Sequence, residues 1–414
     1  MFKICLFDLD NTLVRTEDLK DVREACKNHR DTKAVRATLN ERRDRHLYGR
    51  EAIRNIRREY PEMKLGVFTR SPRIYADTVL AWAYPGFPWD IVVAYEDVRH
   101  TKPYGDGIDC AMKSFNVRNL DEVMLVGDED VDVRAAYHCG CVAVLDRGSW
   151  PVGKKRQEHW AALTHVPDAV IDSPAGLMHV LADPVSFLPA LERLLANDAD
   201  FPNHARFDRI NHFVPGFVGE YNTAFPVHVC GRSFSRYESL ENRRQRHELT
   251  RLIEEHKDAA RFPDTWIHVV RRFVADQYRA STRCMSVLVT AIPARPGRKD
   301  RLGSLLAQLR KSLIREPIEG CNVSVSGGVL AFRDGVQSQH NDHLNREQRF
   351  ANIRDHLIVR SPRKAMEYGS VLVLDDVVTT GASLIGATVG LKAAGVKDVR
   401  CLAMAKSISD VLWS

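Results

Sequence analysis

Two pairs of acidic residues directly follow apolar runs, one near each end of the chain. The run ICLF precedes Asp8 and Asp10, and the run VLVL precedes Asp375 and Asp376. A buried parallel strand delivers charged groups in this way to the edge of an α/β sheet, where ligands bind. The sequence therefore predicts two ligand sites.

The first pair has the spacing of side chains that share one face of a strand. Asp8 and Asp10 are two positions apart, so both carboxylates are expected on the same side. Two buried carboxylates this close repel each other unless a divalent cation and a phosphate group share the site. The pair therefore favours metal-assisted phosphate chemistry.

Three further motifs follow this pair in order along the chain. Thr69 ends the apolar run GVF, and Lys102 precedes a proline. Asp128 and Asp132 lie in the stretch GDEDVD, which follows another apolar run. The four motifs in this order resemble those of haloacid-dehalogenase-type phosphatases, and the resemblance covers roughly residues 1–180.

The resemblance implies a role for each motif. Asp8 would attack phosphorus and form an aspartyl phosphate. Asp10 would protonate the leaving oxygen and then activate the hydrolytic water. Thr69 and Lys102 would hold the phosphoryl oxygens. Relatives that do not hydrolyse phosphate esters tend to lack an acid at the position of Asp10, so an active phosphatase is expected.

The resemblance also implies Mg²⁺, the hard cation usual in phosphoryl transfer. Its ligands would be Asp8, the carbonyl of Asp10 and Asp128. Asp132 would either hold the site in place or bind Mg²⁺ through water.

The second acidic pair leads into a loop of small residues that opens a helix. Backbone amides there, with the hydroxyls of Thr379, Thr380 and Ser383, would form a cradle for a 5′-phosphate. Gly381 permits close approach of the backbone. The loop therefore favours a phosphorylated ligand.

The acids before this loop suit a ribose. Asp375 and Asp376 are placed to accept hydrogen bonds from the 2′- and 3′-hydroxyls, and negative charge there favours an oxocarbenium-like ribose as pyrophosphate leaves. Residues 371–384 resemble the phosphoribosyl-diphosphate loop of type I phosphoribosyltransferases. The match covers about 285–405 and implies phosphoribosyl diphosphate as ligand.

The stretch TAIPAR, which ends at Arg295, narrows this second resemblance. It is similar to the pyrophosphate loop of the competence-protein-F-like branch of the family. QSQ at 337–339 and RFANI at 349–353 are similar to further segments of that branch. The cysteine-rich zinc module that often precedes this fold is absent, and residues 333–349 lack the family pattern.

Length and composition favour a soluble globular protein of two domains, because 414 residues exceed one ordinary core. The net charge of +6 fits phosphorylated substrates and is too weak to argue for nucleic acid. Nine scattered cysteines without a Cys-x-x-Cys pair favour a reducing cytoplasm over disulfides or zinc. No apolar run is long enough to span a bilayer, and the acids near the start argue against a signal peptide.

The alternation of apolar runs and helical patterns predicts two doubly wound α/β domains. Strands are predicted in the first domain at 2–7, 63–69, 89–95, 122–127, 141–145 and 167–171. In the second domain, strands are predicted at 285–292, 323–332, 370–375 and 398–404, and helices at 239–256, 264–280, 300–314 and 382–394. The predicted divisions are a haloacid-dehalogenase-like domain at 1–182 with a helical cap at about 13–62, a connector at 183–225, and a phosphoribosyltransferase-like domain at 226–414.

Two segments leave more than one interpretation open. Residues 201–250 mix aromatic and basic residues, which favours a helical hairpin in a core over a surface that stacks on bases. Residues 333–353 are polar and predict a long loop that is functional or mobile.

Three functions compete. The favoured hypothesis is a bifunctional enzyme that transfers a phosphoribosyl group from or to phosphoribosyl diphosphate and removes a phosphate from a small molecule. A second hypothesis makes the C-terminal domain a sensor of phosphoribosyl ligands that regulates the phosphatase. A third, motivated by the arginine-rich cap, is a phosphatase that processes nucleic-acid ends.

Overall fold

The computed structural model describes residues 1–29, 32–153, 157–197, 205–220, 223–256, 261–279, 285–337 and 344–410. The chain divides into two compact units. The first consists of Met1–Leu188, Phe234–Arg246 and Ser409–Ser414, and the second of Pro189–Ser233 and His247–Ile408.

The described residues form fifteen strands. They are β1 (Ile4–Phe7), β2 (Lys64–Phe68), β3 (Ile91–Val93), β4 (Val123–Gly127), β5 (Val142–Asp146), β6 (Ala169–Ile171), β7 (Asp208–Phe213), β8 (Ala224–Val229), β9 (Arg232–Phe234), β10 (Met285–Ala291), β11 (Cys321–Val325), β12 (Leu330–Phe332), β13 (Leu357–Val359), β14 (Ser370–Val378) and β15 (Asp398–Ile408).

Sixteen α-helices lie in the same ranges. They are α1 (Lys20–His29), α2 (Thr32–Asn40), α3 (Arg50–Glu59), α4 (Arg73–Ala83), α5 (Asp106–Ser114), α6 (Asp130–Cys139), α7 (Gln157–Thr164), α8 (Pro174–Ala182), α9 (Ala190–Asn197), α10 (Glu241–Arg246), α11 (Glu248–Glu255), α12 (Asp264–Tyr278), α13 (Arg301–Arg315), α14 (Arg346–His356), α15 (Pro362–Met366) and α16 (Ala382–Ala393). None of these helices is long and apolar enough to cross a membrane.

The sheet of the first unit is entirely parallel, in the order β3-β2-β1-β4-β5-β6. The six strands predicted for this half are confirmed. Strands β1 and β4 are buried along their whole length, which is why they read in the sequence as unbroken apolar runs.

The strand register brings three of the sequence motifs to one edge. In the register Phe7 pairs with Val67 of β2 and with Val126 of β4, so the three strands end nearly level. Because the strands are parallel, the residues that follow their carboxyl ends meet at the same edge of the sheet. This edge carries the first candidate site.

Helices α1, α2 and α3 lie between β1 and β2, within the predicted cap at 13–62. Arg45 is fully buried in this segment and binds both carboxylate oxygens of Asp18, each at 2.8 Å. It also donates to the carbonyl oxygens of Thr38 and Leu39. A buried guanidinium is tolerated when its donors are paired, so these bonds tie the end of α2 to the residues that precede α1.

The second unit contains a mixed sheet in the order β11-β10-β14-β15-β8-β7, with β9 beside β15. The β7–β8 pair is antiparallel, whereas β11, β10, β14, β15 and β8 run parallel to their neighbours. Strands β12 and β13 form a separate antiparallel pair. The α/β fold is confirmed for this half as well, with a mixed sheet.

The favoured helical hairpin in 201–250 is wrong over its first half. Strands β7 and β8 form an antiparallel hairpin there, in which His212 pairs with Phe225. Its side chains lie on the two faces of an extended ribbon, a setting that aromatic residues favour. Strand β7 and helix α9 both lie within the predicted connector at 183–225 and belong to the second unit.

The predicted loop at 333–353 is helical from Arg346 onward. Asn345 caps α14 by accepting a hydrogen bond from the backbone N–H of Gln348 at 2.9 Å. The helix was missed because it is polar, and only its buried Phe350 and Ile353 mark an inner face. Residues 338–343, which include most of the QSQ segment, lie outside the described residues.

Candidate active site

The first candidate site is a cavity of about 360 Å³ at the carboxyl edge of the parallel sheet. Asp8 follows β1, Thr69 follows β2 and Asp128 follows β4, and all three line the cavity. Asp10 lines it too. The structure therefore brings together motifs that are up to 120 positions apart in the sequence.

Lys102 lies almost completely buried between two carboxylates. Its Nζ donates to Asp8 Oδ1 at 2.5 Å and to Asp132 Oδ1 at 2.6 Å. Burial lowers the pKa of Lys102, but the charges of Asp132 and Asp8 outweigh it, and the net pKa is raised. The ammonium therefore stays charged at neutral pH and can also attract a phosphoryl group.

Burial disfavours the charged forms of Asp8 and Asp128. Burial raises the pKa of Asp8 to about 7, against the attraction of Lys102 and with further repulsion from Asp132. Burial, followed by the charges of Asp8 and Asp132, also raises the pKa of Asp128 well above its ordinary range. A bound cation would lower both pKa values, because it stabilises the carboxylate forms.

Carboxylate oxygens of Asp8, Asp128 and Asp132 lie within 4.8 Å of one another. When all three acids are ionised, their charge exceeds that of the one buried lysine, and a hard divalent cation with oxygen ligands would neutralise the excess. The residues present therefore fit Mg²⁺. Thr12 orients Asp128 by donating from Oγ1 to its Oδ1 at 2.9 Å.

Asp132 is the most firmly held of the three acids. Its Oδ1 accepts from Lys102, and its Oδ2 accepts the backbone N–H of Glu129 at 3.0 Å. Asp132 therefore positions Lys102 through Oδ1.

Asp10 is surrounded by hydroxyl groups. Thr16 Oγ1 and Tyr75 OH donate to its Oδ1 at 2.7 and 2.9 Å, and Ser71 Oγ donates to its Oδ2 at 2.5 Å. Arg23 Nη1 lies 3.5 Å from the same Oδ2. Burial and the charge of Asp10 raise the pKa of Tyr75, so its phenol remains a donor. These contacts fix the carboxyl group at the cavity wall.

Sequence reasoning assigned no role to these four partners of Asp10. Ser71 and Thr16 stand within a few positions of predicted motifs, and their hydroxyls were the available signal. Tyr75 and Arg23 lie on helices α4 and α1, and nothing in their local sequence marks them. Thr69, by contrast, was predicted: it is buried, lines the cavity and accepts the backbone N–H of Ser71 at 3.1 Å.

A comparison with known families assigns this part of the chain. Residues 21–145 match the model described as Haloacid dehalogenase-like hydrolase. This segment is a haloacid dehalogenase-like hydrolase domain. It contains Thr69, Lys102, Asp128 and Asp132, whereas Asp8 and Asp10 precede the matched residues.

Three solved structures align with less than half of this chain. A predicted phosphoglycolate phosphatase from Haemophilus somnus 129PT is 18% identical, with 44% of this chain and 98% of that chain covered and a TM-score of 0.34. CbbY from Rhodobacter sphaeroides, in complex with phosphate, is 18% identical, with coverage of 43% and 96% and a TM-score of 0.31. YfnB from Bacillus subtilis, bound to magnesium, is 14% identical, with coverage of 44% and 98% and a TM-score of 0.32.

A search of the curated proteins found no match to the chain. None of the comparisons supports the phosphoribosyltransferase resemblance of the second half, which stays a prediction.

The second candidate site differs from the hydrolase domain in how its acids are held. Strand β14 continues to Val378, so Asp375 and Asp376 both lie within the strand. The prediction that the strand ends by residue 375 is wrong. Asp375 Oδ1 accepts the backbone N–H of Asp376 at 2.9 Å, and Asp376 Oδ1 accepts that of Val377 at 2.8 Å. Asp376 Oδ2 also pairs with Arg301 Nη1 at 2.9 Å.

Burial, followed by the charge of Asp376, raises the pKa of Asp375 well above its ordinary range. Arg295 acts in the opposite direction on this pKa. Arg295 comes after β10, which pairs with β14, so the structure brings this predicted residue to the same edge of the sheet as the acids.

The helix after β14 begins at Ala382, as the sequence predicts. Gly381 has a φ of 79° and directly precedes α16. Thr379 is exposed, while Thr380 and Ser383 are half-buried. Two residues without an assigned role contact this loop: the ring of His212 lies against Gly381, and Lys406 Nζ donates to the Thr379 carbonyl oxygen at 2.9 Å.

Proposed function

We propose that the first unit is a phosphomonoesterase that forms an aspartyl phosphate on Asp8. One observation carries the proposal: Asp8 lies in a cavity between a buried lysine and the fixed carboxyl group of Asp10. These groups suit a nucleophile, a phosphate-binding cation and a proton carrier. The hydrolase family of the surrounding segment supports the assignment.

Hydrolysis of the phosphate monoester proceeds in two steps. An Asp8 carboxylate oxygen attacks phosphorus, the bond to the ester oxygen breaks, and Asp10 gives that oxygen its proton. Water then attacks the aspartyl phosphate, and Asp10 takes a proton from it. The acyl phosphate bond breaks, inorganic phosphate leaves, and Asp8 is regenerated as a carboxylate.

The remaining residues bind and orient the phosphoryl group. Thr69 and Lys102 hold its oxygens, and Asp132 positions Lys102. Mg²⁺ would be held by Asp8, Asp128 and the carbonyl of Asp10, where it supplies charge neutralisation for the phosphoryl group. Asp132 would contribute to the metal site through water, since its Oδ1 accepts the ammonium of Lys102.

The substrate is a small phosphorylated molecule, and the protein works in a reducing cytoplasm. The cysteines of the described residues are free, and most of them are buried, which suits such a compartment.

The replacement Asp8→Asn tests the nucleophile. Release of phosphate from p-nitrophenyl phosphate with Mg²⁺ should fall by at least about a thousandfold, as expected when a covalent nucleophile is lost. Asp77→Asn, at a position with 57% side-chain exposure on α4, is the matched control and should keep the wild-type rate. Equal rates for wild type and Asp8→Asn would refute the assignment.

A second candidate function concerns the loop at 375–383. We propose that it binds phosphoribosyl diphosphate, either for phosphoribosyl transfer or as a sensor. Its support is geometric: the acidic pair stands at the edge of β14 beside the segment of Arg295, and the positive φ of Gly381 turns the chain into α16. Amide groups at such a helix start suit a phosphate.

Calorimetry on Thr380→Arg tests this binding. The arginine would fill the space of the phosphate, so affinity for phosphoribosyl diphosphate should fall by about a hundredfold or more. Ala393→Arg, exposed at the other end of α16, adds the same charge and should bind normally. Unchanged affinity of Thr380→Arg would exclude the loop as the site. Release of pyrophosphate by the wild type would favour transfer over sensing.

A further inference from the structure

A second cavity of about 280 Å³ adjoins the first one. Its lining consists of Arg23, Glu24, Lys27, Arg70, Pro72 and Tyr95. Arg23 and Arg70 also line the first cavity, so the two spaces share a wall formed by these two side chains. A substrate bound by its phosphate in the first cavity can therefore extend into the second.

The two cavities have opposite charge. The first is lined by the acids that hold the metal and carry protons. The second is lined by three cationic residues and one acidic residue, Glu24. A concave surface with an excess of one charge attracts the opposite charge. The second cavity therefore favours an anion.

Lys27 and Arg70 are held in place by neighbouring side chains, and both retain N–H donors for a ligand. Lys27 Nζ lies 4.2 Å from the centre of the Tyr95 ring, a cation–π contact that limits its movement. Arg70 donates to Glu129 through Nη2 at 2.7 Å. A guanidinium has five N–H donors, so this bond does not exhaust the capacity of Arg70 for a ligand.

Arg23 connects the second cavity to the reaction. Its Nη1 lies 3.5 Å from Asp10 Oδ2, and Asp10 is the group that gives the proton to the leaving oxygen. The part of the substrate that reaches Arg23 is therefore the alcohol that leaves, and not the phosphate that is transferred.

We infer that the substrate is a phosphate monoester whose alcohol carries a second anionic group, bound by Arg23, Lys27 and Arg70 in the second cavity. The inference rests on the proposed function of the first cavity. Phosphate and carboxylate share the chemistry that these cations recognise.

Matched substrates test the inference. The kcat/KM for α,ω-alkanediol bisphosphates of three to six carbons is compared with that for the corresponding monophosphates and for ω-carboxyalkyl phosphates. The bisphosphate has two reactive ends, which accounts for a factor of two. We expect a preference of about tenfold or more beyond that for at least one doubly anionic series. A carboxylate preference would identify the second group as a carboxylate.

A variant of Lys27 locates the preference. Lys27→Gln should reduce the ratio of doubly to singly anionic kcat/KM by about fivefold, a value lowered for the exposure of this lysine. Arg36→Gln removes one charge from an exposed position of α2 that is not part of the lining given for either cavity, and should leave the ratio unchanged. The inference would be overturned if Lys27→Gln kept the wild-type ratio of doubly to singly anionic kcat/KM, or if the wild type showed no preference.

The two proposals fail in different ways. If p-nitrophenyl phosphate is hydrolysed without any preference for a second anion, only the subsite is wrong. If no phosphate ester is hydrolysed, the phosphatase assignment fails. Calorimetry on Asp8→Asn then still tests the subsite, because the bisphosphate should bind about tenfold more tightly than the monophosphate, and equal affinities would refute it.

Discussion

The two candidate sites hold their acids by different means. In the first unit, Asp8 is paired with a lysine 94 positions away, and Asp128 is oriented by a threonine 116 positions away. In the second unit, Asp375 and Asp376 each accept the backbone N–H of the next residue, and Asp376 also forms a partly exposed ion pair with Arg301. The first arrangement depends on buried partners far away along the chain, whereas the second combines local backbone bonds with one partly exposed ion pair.

This contrast explains why a family model supports the first resemblance and no comparison supports the second. Four motifs that must meet in space are a demanding pattern, and the family model matches the segment that carries three of them. One loop with an acidic pair is a weaker pattern, because side-chain bonds to neighbouring amides satisfy it locally. The assignment of the second site therefore depends on measurements of ligand binding. Four predictions test the difference between the two sites and the two units.

Of these four replacements, Asp10→Asn is expected to have the largest effect, which is on phosphatase turnover. Without a carboxyl group to move protons, turnover should fall by about a hundredfold to ten thousandfold, as for other general acid–base groups. Asparagine can still accept from Thr16 and Tyr75, so the fold should survive. The aspartyl phosphate should accumulate and appear in intact-mass spectra after brief exposure to substrate. Normal steady-state turnover would contradict the acid–base role, and Asp97→Asn, outside the lining given for either cavity, serves as control.

The replacement Lys102→Met tests whether the first site is a buried charge cluster. It would leave two buried carboxylates without their cation, which should lower the free energy of unfolding by about 3–5 kcal/mol. Chemical denaturation in the presence of a chelator measures this. Lys113→Met, at an exposed position of α5, should change stability little. A comparable small change for Lys102→Met would mean that the cluster is solvated.

The second unit has a buried ion pair of its own, between Glu192 and Arg232. Burial raises the pKa of Glu192, but the charges of Arg232 and His247 outweigh it and hold it well below its ordinary value. A lowered carboxyl pKa stabilises the fold above the unfolded pKa, and this stabilisation is lost as pH falls through the folded pKa. Glu192→Gln should therefore cost about 3–5 kcal/mol near neutral pH and progressively less below about pH 4.

Denaturation of wild type and Glu192→Gln between pH 3 and 7 measures that difference. Glu248→Gln, at the start of α11, is the matched control and should show neither the loss nor its pH dependence. A difference that grows as the pH falls would contradict the sign.

The smallest effect is expected from Arg301→Met in the second candidate site. Arg301 and Asp376 have side-chain exposures of 21% and 26%, so solvent screens their ion pair, and its loss should cost about 1 kcal/mol or less. The same denaturation assay as for Lys102→Met gives a direct comparison of the two sites. If Arg301→Met lowered the free energy of unfolding as much as Lys102→Met, the second site would also be a buried charge cluster.

Much of the first unit could be predicted because its signals are local. The six parallel strands are short apolar runs, and a strand buried on both faces needs no partner to be visible in the sequence. The hairpin of β7 and β8 was missed for the opposite reason. Its residues are aromatic, polar and basic in turn, and only pairing with β15 shows that this ribbon belongs to a sheet.

The sequence by itself determined the order of the motifs, the chemical types of Asp8, Asp10, Thr69 and Lys102, and the start of a helix after Gly381. These depend on residue identity and on neighbours along the chain. Only the tertiary structure decided which hydroxyls surround Asp10, that Asp132 accepts the ammonium of Lys102, and that Lys27 and Arg70 line one cavity. Such contacts depend on how helices and strands pack, because side chains distant in sequence meet only once the sheet and its helices are formed.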